Sequence, residues 1–335
     1  MFWPPFVCSK LPVLAMHSKM MMNREGSRFH RFMGALSLVL LTVEWTLARW
    51  VRLDGLARQL RLASLGLTLL LATASYCRWR SHRHLYEAAR LSIWMVALSI
   101  LLNLLMQICG RSPAPLVDEQ LAHIDSVLFA PLLRWIHPVP VLGRIYDTLP
   151  WLMLLAVMLP CLRGHYRQAQ QYIVAVMLAA FITAGLFVIW PAAGPWVVNG
   201  HQPSRQQAAV QAYLLLLKSP GPVTMDMDIA AIVSFPSFHV VLTLLSAAAL
   251  WPYRKLRLAL AGLCAAICVS TVTTGWHYVI DLVGGLAVTL AAQPAANALL
   301  HYVVTPRRAL HSRRIEMRSS GAGFLVPDSA KPQLF

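Results

Sequence analysis

The chain has 335 residues, of which 58% are hydrophobic and 13% charged. Soluble domains carry roughly twice that share of charge, and several stretches here approach the roughly 20 apolar residues that a bilayer core requires, which excludes a soluble globular fold. The net charge of +16, from 29 Lys and Arg against 13 Asp and Glu, would suggest nucleic acid in a soluble protein, but these cations sit in short loops and tails between apolar runs, so nucleic acid is not expected as a partner.

In chain order, the N-terminal MFWPPFVCSKLPVLAMHSKMMMN lacks the ordered basic, apolar and small-residue regions of a cleaved signal peptide, and MMM at 20–22 offers an internal start. Hydropathy then predicts an all-α, polytopic bundle of eight spans, at 33–50, 62–77, 88–109, 146–162, 171–190, 238–252, 256–274 and 278–303. Within the early spans, Glu44, Asn103 and Gln107 are the deepest polar residues and are expected to bond between helices. Between the third and fourth spans, Leu121, Ile124, Leu128, Leu132 and Trp135 recur at helical spacing beside polar residues, which predicts an interfacial helix.

The connection 191–236 holds PAAGPW, a polar helix-like stretch and KSPGPVTMDMD, where Asp226 and Asp228 read as caps before headgroup ligands. The tail from Thr305 is basic and rich in Ser, Gly and Pro, and is expected to be disordered and to meet anionic lipid. Lys and Arg concentrate on the side that carries both termini, which predicts cytoplasmic termini, although the basic first loop with Arg49, Arg52, Arg58 and Arg61 runs against the bias. The six cysteines form no C-x-x-C and no ligand cluster; Cys264 and Cys268 read as small packing residues, and neither a disulfide scaffold nor a metal is expected.

Two stretches carry chemistry. SFPSFHVVLTLL, from Ser234, places His239 at the mouth of an apolar run, and STVTTGWHYVIDLVGG, from Ser270, places His277 and Asp281 four residues apart. On a helix that spacing shares a face, so the carboxylate reaches one ring nitrogen, fixes the tautomer and leaves the other nitrogen basic. A hairpin of two spans of about 17 residues, each roughly 25 Å long, separates the histidines and returns the chain to the surface it left. Two imidazoles and a carboxylate at one interface supply a nucleophile, a general acid and an orienting group. An ionisable residue inside an apolar run, as Asp281 is, is expensive to keep and usually functional.

The pair P-S-x-H (Pro236 to His239) and G-x-H-Y-x-x-D (Gly275 to Asp281) resembles the type 2 phosphatidate phosphatase superfamily. FPSFH, GWHYVIDLVGG and PAAGPW are similar to its branch containing inositol phosphorylceramide synthase, with the resemblance spanning about residues 120–300. The resemblance implies a six-span catalytic core and metal-independent phosphoryl transfer without a cofactor. By motif position His277 would be the nucleophile, Asp281 its partner and His239 the acid and then the base. Pro236, Ser237, Gly275 and Tyr278 would meet substrate, with phosphate oxygens at the helix start after Ser237.

The implied partners are a phospholipid donor and an alcohol, lipid or water acceptor, at the non-cytoplasmic face of the inner or plasma membrane. The domains would be a cytoplasmic segment at 1–32, accessory spans at 33–110, the phosphatase-like domain at 111–304 and the tail at 305–335. The superfamily's lysine and Arg-Pro motif is not present as such, and Thr271 stands where an arginine is usual, which leaves Lys218 and Arg205 as candidates for the missing charge. A phosphoinositol-type headgroup transferase, a lipid phosphate phosphatase acting on phosphatidate or isoprenyl diphosphate, and a transporter or flippase are the competing readings. The last is weakened because the sequence shows no internal repeat.

Overall fold

The computed structural model describes residues 11–135, 140–198, 202–225 and 232–304. Asp226, Asp228 and the basic tail lie outside the described residues. The helices are α1 (Leu11–Trp50), α2 (Leu56–Trp79), α3 (Arg83–Gly110), α4 (Asp118–Leu128), α5 (Ala130–Leu133), α6 (Pro140–Tyr146), α7 (Leu149–Leu162), α8 (Tyr166–Ile189), α9 (Arg205–Lys218), α10 (Phe238–Leu250), α11 (Arg257–Thr273) and α12 (Val279–Val304). The expected all-helical architecture holds apart from one two-residue parallel pairing, β1 (Leu53–Asp54) with β2 (Val223–Thr224).

The chain divides into two compact units, residues 1–31 with 301–335 and residues 32–300. In the first, the Arg28 guanidinium donates to the Val304 carbonyl at 3.0 Å, and Phe29 packs edge-on against His30. In the second, α3 packs on α2, α7 and α8, while α10 packs on α7, α8 and α11, with α6 against α11. The core of this unit is built on Leu91, Leu98, Ile173, Met177, Phe187, Leu245 and Leu250, all essentially inaccessible. Leu65, Leu69, Trp151, Leu258 and Leu290 point outward and are more than half exposed, as side chains facing acyl chains are.

Eight spans were expected; among the described residues, six helices are long and apolar enough to cross a membrane, at Gly26–Trp50, Arg83–Gly110, Val141–Leu162, Tyr166–Ile189, Arg254–Thr273 and Val279–Val304. The protein is therefore an integral, multi-pass membrane protein. Two expected spans are not among these six. The run at 62–77 lies in α2. The run at 238–252 forms α10, apolar apart from His239, Thr243 and Ser246 but only 13 residues long, or about 20 Å against a hydrocarbon core of about 30 Å.

Candidate active site

Local sequence sets the histidines in place. Ser237 caps α10: its hydroxyl accepts from the Val240 N–H at 3.4 Å, and its own N–H donates to the Asp281 carbonyl at 3.1 Å. The turn before it lies close on α12 because glycines face it. A Cβ on Gly284 would stand 2.9 Å from the Pro236 Cβ, and one on Gly285 would stand 2.7 Å from the Ser237 carbonyl oxygen. The VGG after Asp281 is thus the surface on which the FPSFH turn rests. Across from it, α11 ends at Gly275, whose φ of 75° turns the chain in the left-handed region where glycine is favoured. The backbone N–H groups of Trp276 and His277 then fold back onto the Thr271 carbonyl at 3.2 and 3.1 Å.

His277, 4% exposed, presents Nδ1 to two acceptors, the Ser234 carbonyl at 2.9 Å and Asp281 Oδ2 at 3.2 Å. With acceptors on that side, Nδ1 carries the proton and Nε2 carries the free lone pair. Burial pushes the imidazole down to about 4, partly opposed by the Ser234 carbonyl, so it is neutral at physiological pH. Asp281 Oδ2 also accepts from the Ser234 hydroxyl at 2.9 Å and the Tyr278 N–H at 2.9 Å, which fixes the carboxylate in turn. The His239 ring lies 5.9 Å from that of His277, centroid to centroid, and stacks on Tyr146 at 4.3 Å, with the Tyr146 hydroxyl 3.1 Å from its Nδ1. The arrangement offers one oriented, unprotonated nitrogen beside a second imidazole able to exchange a proton.

The structure therefore brings together His239, His277 and Asp281, with Pro236, Ser237 and Gly275 shaping the turns around them. Two other expected substrate contacts are engaged elsewhere. The Tyr278 hydroxyl donates to Asp118 Oδ1 at 3.1 Å, and the residue is 2% exposed. Lys218 donates to the Ser112 and Ala114 carbonyls at 2.6 and 2.9 Å, and among the described residues no Lys or Arg side chain bonds to the histidine cluster. Thr271, where a cation is usual in the resembled superfamily, is buried with its hydroxyl turned onto the Cys268 carbonyl at 2.7 Å.

Four supporting residues were missed in the sequence. Ser234 stood inside the quoted motif, but nothing in its type or spacing tied it to a carboxylate 47 positions away. Tyr146 had no signal. Asp118 and Asp125 did, since seven residues is two helical turns and puts both on one face of α4. Asp118 accepts from the Ala193 and Gly194 N–H groups of PAAGPW at 3.0 and 2.8 Å, and Asp125 accepts from Val279 and Ile280, the first N–H groups of α12, at 2.7 and 2.9 Å. Burial raises both carboxyls, opposed by these N–H donors and, for Asp118, by Tyr278.

No curated protein and no solved structure gives a significant match to this sequence. Residues 119–295, more than half of the chain, match the PAP2 superfamily, and that stretch runs from α4 to α12 and contains both histidines, Asp281 and Asp125, with Asp118 one residue before it. The chain thus belongs to the PAP2 superfamily, whose enzymes are metal-independent phosphatases and phosphotransferases acting on lipid phosphates.

Proposed function

We propose that the protein transfers a phosphorylated headgroup between lipids through a phosphohistidine, with His277 as nucleophile. The observation that carries this reading is an imidazole whose Nδ1–H is held by Ser234 and Asp281 while a second imidazole stands 5.9 Å away. In the first step the N–P bond to His277 Nε2 forms, the bond from phosphorus to the departing lipid alkoxide breaks, and His239 gives that oxygen a proton. In the second, His239 takes the proton from an acceptor hydroxyl, a new O–P bond forms and the N–P bond breaks. Asp281 keeps the imidazole oriented and stabilises the positive charge it gains on attack. The first N–H groups of α10, those of Phe238 and His239, lie outside its internal ladder and are available to phosphate oxygens.

The similarity of FPSFH, GWHYVIDLVGG and PAAGPW to the inositol phosphorylceramide synthase branch supports a phosphodiester donor with a phosphoinositol-type headgroup and a lipid acceptor. The rival is hydrolysis of a lipid phosphate, in which water fills the acceptor's place. Purified protein given a labelled phospholipid, with and without a lipid alcohol, separates them: transfer predicts a new phospholipid that depends on the acceptor, and free phosphate or phosphoinositol formed regardless of acceptor overturns it. His277→Ala should abolish turnover and any trapped phosphoprotein; full turnover in that variant removes the nucleophile assignment. The Lys and Arg bias of the sequence, counted with the 62–77 and 238–252 runs as crossings, supports an active site on the non-cytoplasmic face. An otherwise cysteine-free Gln202→Cys protein should then react with a membrane-impermeant maleimide on intact cells, and protection until lysis would reverse the orientation.

A further inference from the structure

A cavity of about 590 Å³ opens where the C-terminal ends of α1, α3 and α9 meet. Trp50, Arg52, Arg111 and Lys218 line it together with the segment 112–116, and no Asp or Glu does so among the described residues. A volume of that order accommodates a small polar ligand.

Two of the three cations are locked in place by groups that do not neutralise them. Arg111 Nη1 donates to the Leu217 and Ser219 carbonyls at 2.9 and 2.8 Å, and its Nη2 donates to Gly221 at 2.9 Å. Lys218, on the element Arg111 caps, reaches back to the carbonyls of Ser112 and Ala114. Carbonyl oxygens orient a cation but cancel none of its charge. Arg111 keeps an Nη2–H and its Nε–H, and Lys218 keeps one N–H, for a further acceptor.

Arg52 makes no side-chain bond among the described residues. Its backbone is held at φ 58°, a left-handed conformation unusual for a side-chain-bearing residue, by the bond from Val223 N–H to its carbonyl. The helix C-termini offset part of this charge, each by about half an elementary charge, which leaves the cavity roughly one and a half charges positive.

The cavity lies at the same end of the helices as the histidine cluster. Ser112 donates to the Val188 carbonyl at 2.7 Å, and Val117 N–H to that of Pro191 at 2.9 Å. The next residue, Asp118, holds PAAGPW and Tyr278.

We propose that this cavity is a second anion site, separate from the histidine cluster, that takes the phosphate of a phospholipid headgroup. The fixed Arg111 and Lys218 donors and the unpartnered Arg52 match a phosphate oxyanion. Trp50, 80% exposed at the end of a membrane span, supplies the amphipathic surface found at headgroup depth, which favours a lipid over free phosphate.

The test measures binding of dioctanoyl phosphatidic acid and of inorganic phosphate to purified full-length protein in neutral detergent. The proteins compared are the wild type, His277→Ala, and His277→Ala combined with Arg52→Gln or Arg52→Glu. Phosphatidic acid should bind the wild type and His277→Ala alike, and Arg52→Gln should weaken binding about tenfold, the cost of one charge-assisted contact, with Arg52→Glu weaker still. Unchanged affinity in folded Arg52→Gln, or loss of binding in His277→Ala alone, overturns the proposal. Inorganic phosphate binding as tightly as the lipid overturns the lipid source. Catalysis is not read in these measurements, so the cavity and the phosphohistidine reading fail separately.

Discussion

The chemistry turns on a single ring. His277 is neutral because burial outweighs the help its proton receives from Ser234. Its value in the fold, about 4, lies below its ordinary 6.5, so the unfolded chain binds the proton first. The stability it contributes is complete above pH 6.5 and is lost as pH falls through that value towards 4. Phosphohistidine formation needs His277 unprotonated and a proton on His239, which burial also lowers, so its rate in a single turnover with labelled donor should rise as pH falls from about 7 towards 5; a rate that falls by half near 6.5 would mean a solvated His277. Glu44 is the opposite case. It was expected to bond between helices, but both of its carboxyl oxygens are buried without a hydrogen-bond partner among the described residues. Gln107 does form such a tie, accepting from the Tyr213 hydroxyl of α9 while donating to Asn103 within α3 at 3.0 Å. Burying an unpaired carboxyl costs free energy that an apolar side chain does not. Glu44→Leu should raise the melting temperature in detergent by several degrees, and a lowered one would reveal a role for the carboxyl.

Among the elements, α4 is amphipathic in the inverse of the soluble sense. Asp118 and Asp125 face the protein with Leu121, while Val127 and Leu128 are more than 60% exposed. The helical period and the apolar stripe are visible in the sequence, but the single expected helix is broken at Phe129 into α4 and α5, and Leu121 of the stripe turns inward. That pattern could not say that the carboxylates belong inward, because their partners are backbone N–H groups of PAAGPW and of the start of α12, 75 and about 155 residues away. The α10–α12 contact is equally exacting. Gly285→Ala would put a methyl group 2.7 Å from the Ser237 carbonyl and 3.0 Å from the Val240 Cβ, forcing the two histidine-bearing turns apart. The expected cost is about 1–3 kcal/mol, with turnover falling further than stability alone explains. Gly262→Ala in α11, where nothing stands within 4 Å of the added Cβ, is the control that should leave both unchanged or slightly improved. Equal behaviour of the two variants would show that the close approach is not needed.

At the level of the whole molecule, the six apolar helices among the described residues make membrane insertion the condition for the fold. The protein should stay in the membrane pellet after alkaline carbonate washing and leave it only with detergent; release by carbonate would contradict the spans. Membrane residence, the helical class, the two histidine motifs and the His277–Asp281 pairing were determined by the sequence alone, because each depends on local apolar length or on a spacing of a few residues. Only the tertiary structure decided that six helices rather than eight qualify as spans among the described residues, that Ser234, Tyr146, Asp118 and Asp125 support the histidines and the turns around them, and that Lys218 lines a separate cationic cavity. Those outcomes depend on which backbone groups are left unpaired when distant helix ends meet, and a linear pattern carries no record of that.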